Sequence, residues 1–279
     1  MSDGIGISIF LNALAEIARG ASKPTILPVW CREILSTRDP PKIARVHNEY
    51  KQLEPDNKSI FEPYHRSFFF GPSEISAIRA LLPQHLAQNS TSFEVLTAFI
   101  WRCRTKALQW ENQDQEVRLL CIVNARFGKC TFNPPLPKGY YGNAFVFPAA
   151  VTTVGKLCNE PIEYALELVK KAKGDATEEY VHSVVDLLGS QGRPCFTTLG
   201  SFMISDLSKA ALKDVDFGWG KALFAGVAKC GLDCTPGVSF YCPLTNSKGE
   251  HGRVLVIGLP RDAMDRFAKE VDDMLRLKI

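Results

Sequence analysis

Few groups in this 279-residue chain are spaced for chemistry. Asp216-Phe217-Gly218-Trp219-Gly220 alternates two aromatics with two glycines, just after Lys213 and Asp214. By residue type alone this is a tight turn with aromatic packing. Ser2-Asp3-Gly4 sets a carboxylate directly before an apolar segment. Common catalytic signatures are absent: there is no Walker loop, no GxSxG, no HExxH and no GxGxxG after a strand. The five histidines are His47 and His65 beside a linker, His85 after a proline turn, His182 in a helical stretch and His251 in a Gly-Glu-His-Gly turn. Each reads as a surface residue rather than a catalytic base. The nine cysteines are odd in number and mostly lie in apolar runs, which suits reduced thiols better than a disulfide framework. Cys230 and Cys234, with Cys242 nearby, resemble part of a zinc site. The CxxC pair is missing and no histidine is close, so no metal is expected.

The elements that must position these groups follow from periodicity. Residues 5–18 carry apolar side chains at three-to-four spacing and read as a largely buried helix, ended by Gly20. Prolines 24, 28, 40 and 41 follow, and residues 40–65 are polar and aperiodic, a surface crossover. Residues 66–70 read as a strand, and Pro72 opens a helix to about Leu82. Thr91 and Glu94 form a capping-box pattern before a helix at 95–108. Strands are expected at 117–123, 144–147, 196–206, 238–242 and 253–259, and helices at 161–173, 177–188 and 262–275. Strands and helices mix without regular alternation, so the fold class is α/β.

Composition narrows the function. The chain is 46% hydrophobic and 23% charged, which is ordinary for a globular protein. Its 33 Lys+Arg against 30 Asp+Glu leave no electrostatic footprint for nucleic acid. The basic cluster Lys170, Lys171 and Lys173 reads as a solvated helix face. No apolar run reaches the roughly eighteen residues of a membrane span.

Read together, the two unusual segments become specific. DFGWGK at 216–221 resembles the signature near the C-terminus of the BAHD family, acyl-CoA-dependent acyltransferases. That family's other signature is His-x-x-x-Asp-Gly, and MSDG is similar to its tail. The likeness runs through ALAEIARGA (13–21), LPVW (27–30), RDPP (38–41), SFEVLTAFIWRCRT (92–105), VNAR (123–126), PPLPKGYYGN (134–143) and YALELVKKAK (164–173). These resemble the branch that makes volatile esters from simple alcohols.

The resemblance implies a two-domain fold like chloramphenicol acetyltransferase. Residues 1–45 would be the end of the first domain, 46–65 the crossover and 66–279 the second domain. It implies transfer of an acyl group, benzoyl or acetyl, from acyl-CoA to an alcohol hydroxyl. Acyl-CoA is then a co-substrate, the alcohol is small, and no cofactor stays bound. A cytoplasmic protein without nucleic-acid or membrane partners is expected, monomeric if complete. The motif histidine would stand four residues before Asp3, upstream of Met1, so this chain is expected to be inactive; it is expected to be poorly soluble because helix 5–18 would lack the surface it packs on and leave an apolar patch. The alternative is a non-catalytic CoA-binding or interaction remnant.

The resemblance also distributes roles. Asp3 matches the motif aspartate. It either orients the histidine or, the favoured reading, bridges to Arg126 of VNAR. Asp216 is expected to hold a turn shaping the CoA side, with Gly218, Trp219 and Gly220, rather than to react. Ser205 matches a tunnel-lining position, as an oxyanion donor or an ordinary strand serine. Asn143 either lines the channel or closes a turn. Ser92 either approaches CoA or merely starts a helix.

Overall fold

The structure, a computed structural model, describes residues 2–50, 63–192, 194, 200–227 and 238–276. Helix α1 (Gly4–Ala18) starts at Asp3, whose Oδ1 accepts the Gly6 N–H at 2.8 Å. It ends where Gly20 takes φ +92°, so that Gly20 N donates to Ile17 O and Ala21 N to Glu16 O. That double bond closes the helix end and needs a residue tolerant of positive φ. The helix is not largely buried. Only Gly6, Ser8, Ala13 and Ala15 are covered, while Ile7, Phe10, Leu14 and Ile17 are each more than 40% exposed. Periodicity reports an apolar face but not whether anything packs on it.

From there the chain builds the sheet. The elements run β1 (Tyr64–Phe70), α2 (Pro72–Arg79), α3 (Gln84–Gln88), α4 (Ser92–Ala107), β2 (Glu116–Cys121), β3 (Val123–Asn124), β4 (Phe145–Val146) and β5 (Ala149–Thr153). They continue with α5 (Val154–Asn159), α6 (Ile162–Asp175), α7 (Glu178–Gln191), β6 (Ser201–Asp206), β7 (Val238–Thr245), β8 (His251–Leu259) and α8 (Arg261–Arg276). Six strands form one sheet in the order β1-β8-β7-β6-β2-β5, and β3 pairs with β4. β2, β6 and β7 run parallel, whereas β1, β8 and β5 are antiparallel to their partners. Strand β5 and helix α5 escape the periodicity reading because each is short and one continues directly into the other.

One face of the sheet carries the main core. α4 lies against it, buried almost all round, its start fixed by the reciprocal Thr91–Glu94 capping box. α8 offers Ala263, Met264, Phe267 and Val271, one stripe at helical spacing, and the Phe267 ring meets Phe68 edge-on at 5.2 Å. Among the described residues the opposite face carries two small clusters, around Met203 and around Val254.

Residues 38–49 are clipped to α7 by buried polar groups. Asp186 accepts from Arg38 N at 2.8 Å, Arg38 Nε at 2.6 Å and Lys42 N at 2.9 Å. Ser183 Oγ accepts from Ala44 N and Arg45 N. With both lone pairs used, its own proton points to His47 Nε2 at 2.8 Å, and His47 Nδ1–H donates to Glu49 at 3.0 Å. His47 is therefore buried rather than superficial, its side chain 4% exposed. Burial opposes ionisation of Asp186, but the two backbone N–H groups and Arg38 outweigh it and hold its pKa below the usual value. A depressed carboxylate stabilises the fold above its unfolded pKa, and that contribution fades as pH falls through the folded pKa. Asp186→Asn is expected to lose about 3 kcal/mol at neutral pH, with the deficit shrinking below about pH 4. Urea unfolding across pH measures this, and a pH-independent deficit would contradict it.

Candidate functional site

The start of α1 is pinned to the strand segments opposite it. Asp3 Oδ2 accepts from Arg126 Nη1 at 2.7 Å and from Ala144 N at 2.9 Å. Its other oxygen caps the helix, so one carboxylate serves three donors. Arg126 reaches its partner from the turn after β3, where its own N–H is fixed by Asn124 Oδ1. Its second amino group donates to Gly142 O at 2.6 Å and Tyr140 O at 3.3 Å, and its guanidinium lies over the Tyr140 ring. Both side chains are buried, 6% exposed for Arg126 and 8% for Asp3. The favoured pairing of Asp3 with Arg126 is thus what the geometry contains.

The loop at 139–144 owes its shape to close approaches. A Cβ at Gly6 would overlap the Tyr141 carbonyl oxygen, which also accepts from Ser2 Oγ. A Cβ at Gly139 would overlap Leu27 O, and Trp30 lies against Tyr140 and Tyr141. Ala144 N, Gly142 O, Tyr141 and Trp30 are partners the sequence reading missed. Most act through the main chain, which no residue type betrays; the glycines at 139 and 142 were the available signal. Asn143 lies in this loop with an exposed side chain, and its carbonyl accepts from Tyr140 Oη at 3.3 Å.

Other named residues lie further along the same edge. Ser205 is buried near the carboxyl end of β6, paired in register with Phe240. It shares the Met203 face, away from the helix layer. Two residues on, Leu207 touches Gly4 of α1 closely enough that a Cβ there would stand 3.1 Å away. Ser92 is the first residue of α4, and its hydroxyl lies 3.5 Å from Arg79 Nη2. Asp216 Oδ1 accepts from Gly218 N at 2.7 Å and Gly220 N at 3.0 Å, with both glycines at positive φ. Those two N–H groups favour the charged form and hold the Asp216 pKa below the usual carboxylate range. Phe217 stacks on Trp219, yet Trp219 is 93% exposed, so the aromatics are not core packing. They line a cleft of about 310 Å³ with Leu11 of α1.

Two of the three lysines in the cluster are engaged, while Lys171 stays exposed as on a solvated face. Lys173 pairs with Glu94 at 2.7 Å, and Lys170 donates to Asn89 O and Ser90 Oγ. Burial pushes the Glu94 carboxyl up, but Lys173 and Thr91 pull it down further, so its pKa is lowered overall. Cys230 and Cys234 lie outside the described residues. Among the described residues no cluster of metal-ligating groups exists, six cysteines are free, and no helix is long and apolar enough to cross a membrane.

A mixed six-stranded sheet with helices on one face, joined to a helix pinned by its first carboxylate, is the α/β architecture of chloramphenicol acetyltransferase-like acyltransferases. The Transferase family model matches residues 1–274, and the chain belongs to that family, the BAHD acyltransferases. It is 54% identical over 281 residues to benzyl alcohol O-benzoyltransferase of Petunia hybrida, covering 99% of this chain and 60% of that protein. It is 55% identical over 281 residues to 13-hydroxylupanine O-tigloyltransferase of Lupinus albus, covering 100% and 61%. F. graminearum TRI101 complexed with coenzyme A and deoxynivalenol shares the fold, with a TM-score of 0.66 at 16% identity, over 95% of this chain and 62% of that one. The chain spans about 60% of the length of the curated relatives it matches.

The 216–220 turn can be tested by itself. Asp216→Ala frees two glycine N–H groups, and hydrogen exchange at Gly218 and Gly220 is expected to accelerate. Trp219→Ala should leave stability within about 0.5 kcal/mol of the original. A larger loss in urea unfolding would contradict the exposed placement of Trp219.

Proposed function

We propose that the chain serves an acyl-CoA-dependent alcohol O-acyltransferase, moving a benzoyl or acetyl group onto a small alcohol. The observation that carries this is the pinned Asp3, in the position of the family's motif aspartate, bridged to Arg126. Identity above half to a benzoyltransferase and a tigloyltransferase supports acyl transfer to a hydroxyl. The coenzyme A held by a neighbour of the same fold supports CoA as the acyl carrier.

In the reaction a general base takes the alcohol proton as the oxygen attacks the thioester carbonyl. The new C–O bond forms, the C–S bond breaks, and the proton passes to the leaving thiolate. Asp3 and Arg126 do not react; they fix the start of α1, and with it the segment preceding Asp3 where the family's histidine stands. Ser205 is the candidate donor to the oxyanion. The Asp216 turn shapes one rim of the cleft beside α1. Metal and cofactor have no part in this scheme, and acyl-CoA is substrate.

The proposed division is 1–45 as the end of one domain, 46–65 as the crossover and 66–279 as the second domain. In support, all six strands of the main sheet come from residues 64–259. A cytoplasmic location goes with this reading, in keeping with the six free cysteines among the described residues, and the complete protein would be a monomer.

A transfer assay with benzoyl-CoA or acetyl-CoA and benzyl alcohol tests the proposal. The 279-residue chain is expected to bind CoA without turnover. Extension upstream to restore a histidine four residues before Asp3 should raise the rate by about 10²–10⁴-fold. Ester formation by the chain alone would overturn the role given to that histidine. A CoA-binding extended form that stays inactive would point to the non-catalytic alternative.

A further inference from the structure

One buried carboxylate lacks a counter-charge. Glu49, at the end of the segment clipped to α7, has a side chain only 1% exposed. Its Oε1 accepts twice, from His47 Nδ1 at 3.0 Å and from Tyr180 Oη at 2.5 Å. Among the described residues no donor reaches its Oε2. Neither donor brings a charge. His47 takes the Ser183 proton on Nε2, so its Nδ1–H belongs to a neutral ring. Burial, reinforced by the Glu49 charge, raises the pKa of Tyr180, so that hydroxyl keeps its proton. Neighbouring cations are engaged elsewhere. Arg118 reaches Asn48 O but gives Nε and Nη2 to Glu116, and Lys173 pairs with Glu94. Among the described residues no Lys or Arg pairs with Glu49 or Asp175. A carboxylate taken out of water without a cation is costly.

The free oxygen has space beside it. A cavity of about 230 Å³ is bounded by Glu49, Tyr180 and Asp175, with Val46, Pro148 and Ala149 as apolar wall. A water occupies about 30 Å³ in the liquid, so this cavity has room for a molecule of several heavy atoms. Asp175 is the last residue of α6, where the helix dipole adds partial negative charge to that of the carboxylate. Arg45, a cation on the rim, is exposed and its charge is screened by water. Among the described residues no group of three metal-ligating side chains exists, so the site suits an N–H cation with an apolar body better than a metal ion. None of these residues belongs to the site around Asp3 or to the cleft beside α1.

We infer that this cavity binds a small primary alkylammonium, its N–H groups meeting Glu49 Oε2 and its alkyl chain lying on Val46, Pro148 and Ala149. Asp175 and the end of α6 add long-range attraction for the same charge. The site is separate from acyl transfer and stands or falls independently of the acyltransferase reading.

Calorimetric titration of the 279-residue chain with n-butylammonium chloride and with n-butanol tests it. The ammonium is expected to bind with a Kd of about 1 mM or tighter, and butanol, equal in shape but uncharged, at least tenfold more weakly. Glu49→Gln keeps an acceptor for His47 and Tyr180 and is expected to weaken the ammonium about tenfold or more. Asp175→Asn changes an exposed residue and should weaken it about threefold; it carries the test if Glu49→Gln does not fold. No binding of butylammonium to the original chain, equal binding of butanol, or unchanged ammonium affinity in the folded variants would overturn the inference.

Discussion

One buried carboxylate decides where the front of the molecule sits. Asp3 accepts from the Gly6 N–H of its own helix, from Arg126 and from Ala144 N. Taking an aspartate and an arginine out of water is costly, and the cost is recovered only when the remaining donors and acceptors are also satisfied. Here they nearly are. Arg126 gives its second amino group to two loop carbonyls, and only its Nε is left without a partner. The pair is therefore a geometric constraint more than a source of stability. It ties α1, the turn after β3 and the 139–144 loop to one another, and it works only in that arrangement.

The sheet supplies the rigid body that this constraint refers to. Its helix-covered face holds the large core, centred on α4, α6 and α8. The other face carries small clusters and Ser205. Such asymmetry suits a sheet that packs on one side and presents chemistry from the other. The carboxyl ends of β6 and β7 bring three features to one edge: Ser205, the Leu207 contact with α1, and the Asp206–Arg253 pair.

What the sequence discloses differs by the kind of interaction. Strong periodicity made α8 and β8 legible to within two residues, and the Thr91–Glu94 box located the start of α4. The same periodicity misjudged α1, because it reports an apolar face and not its cover. His47 looked superficial because its neighbours are polar, yet those neighbours bury it by bonding to α7. Asp3 and Arg126 are 123 positions apart, and no local pattern couples them; the family resemblance did. Ala144 N and Gly142 O could not be read at all, since main-chain groups carry no residue signature.

A double-mutant cycle on Asp3 and Arg126 bears most directly on this account, using Asp3→Ala, Arg126→Ala and both together in urea unfolding. If the pair organises the front of the molecule, each single change costs about 3–5 kcal/mol, and the double change costs little more than either. The coupling is then at least about 2 kcal/mol. Strictly additive losses, with coupling under about 0.5 kcal/mol, would contradict the claim that this one interaction positions α1 and its loop.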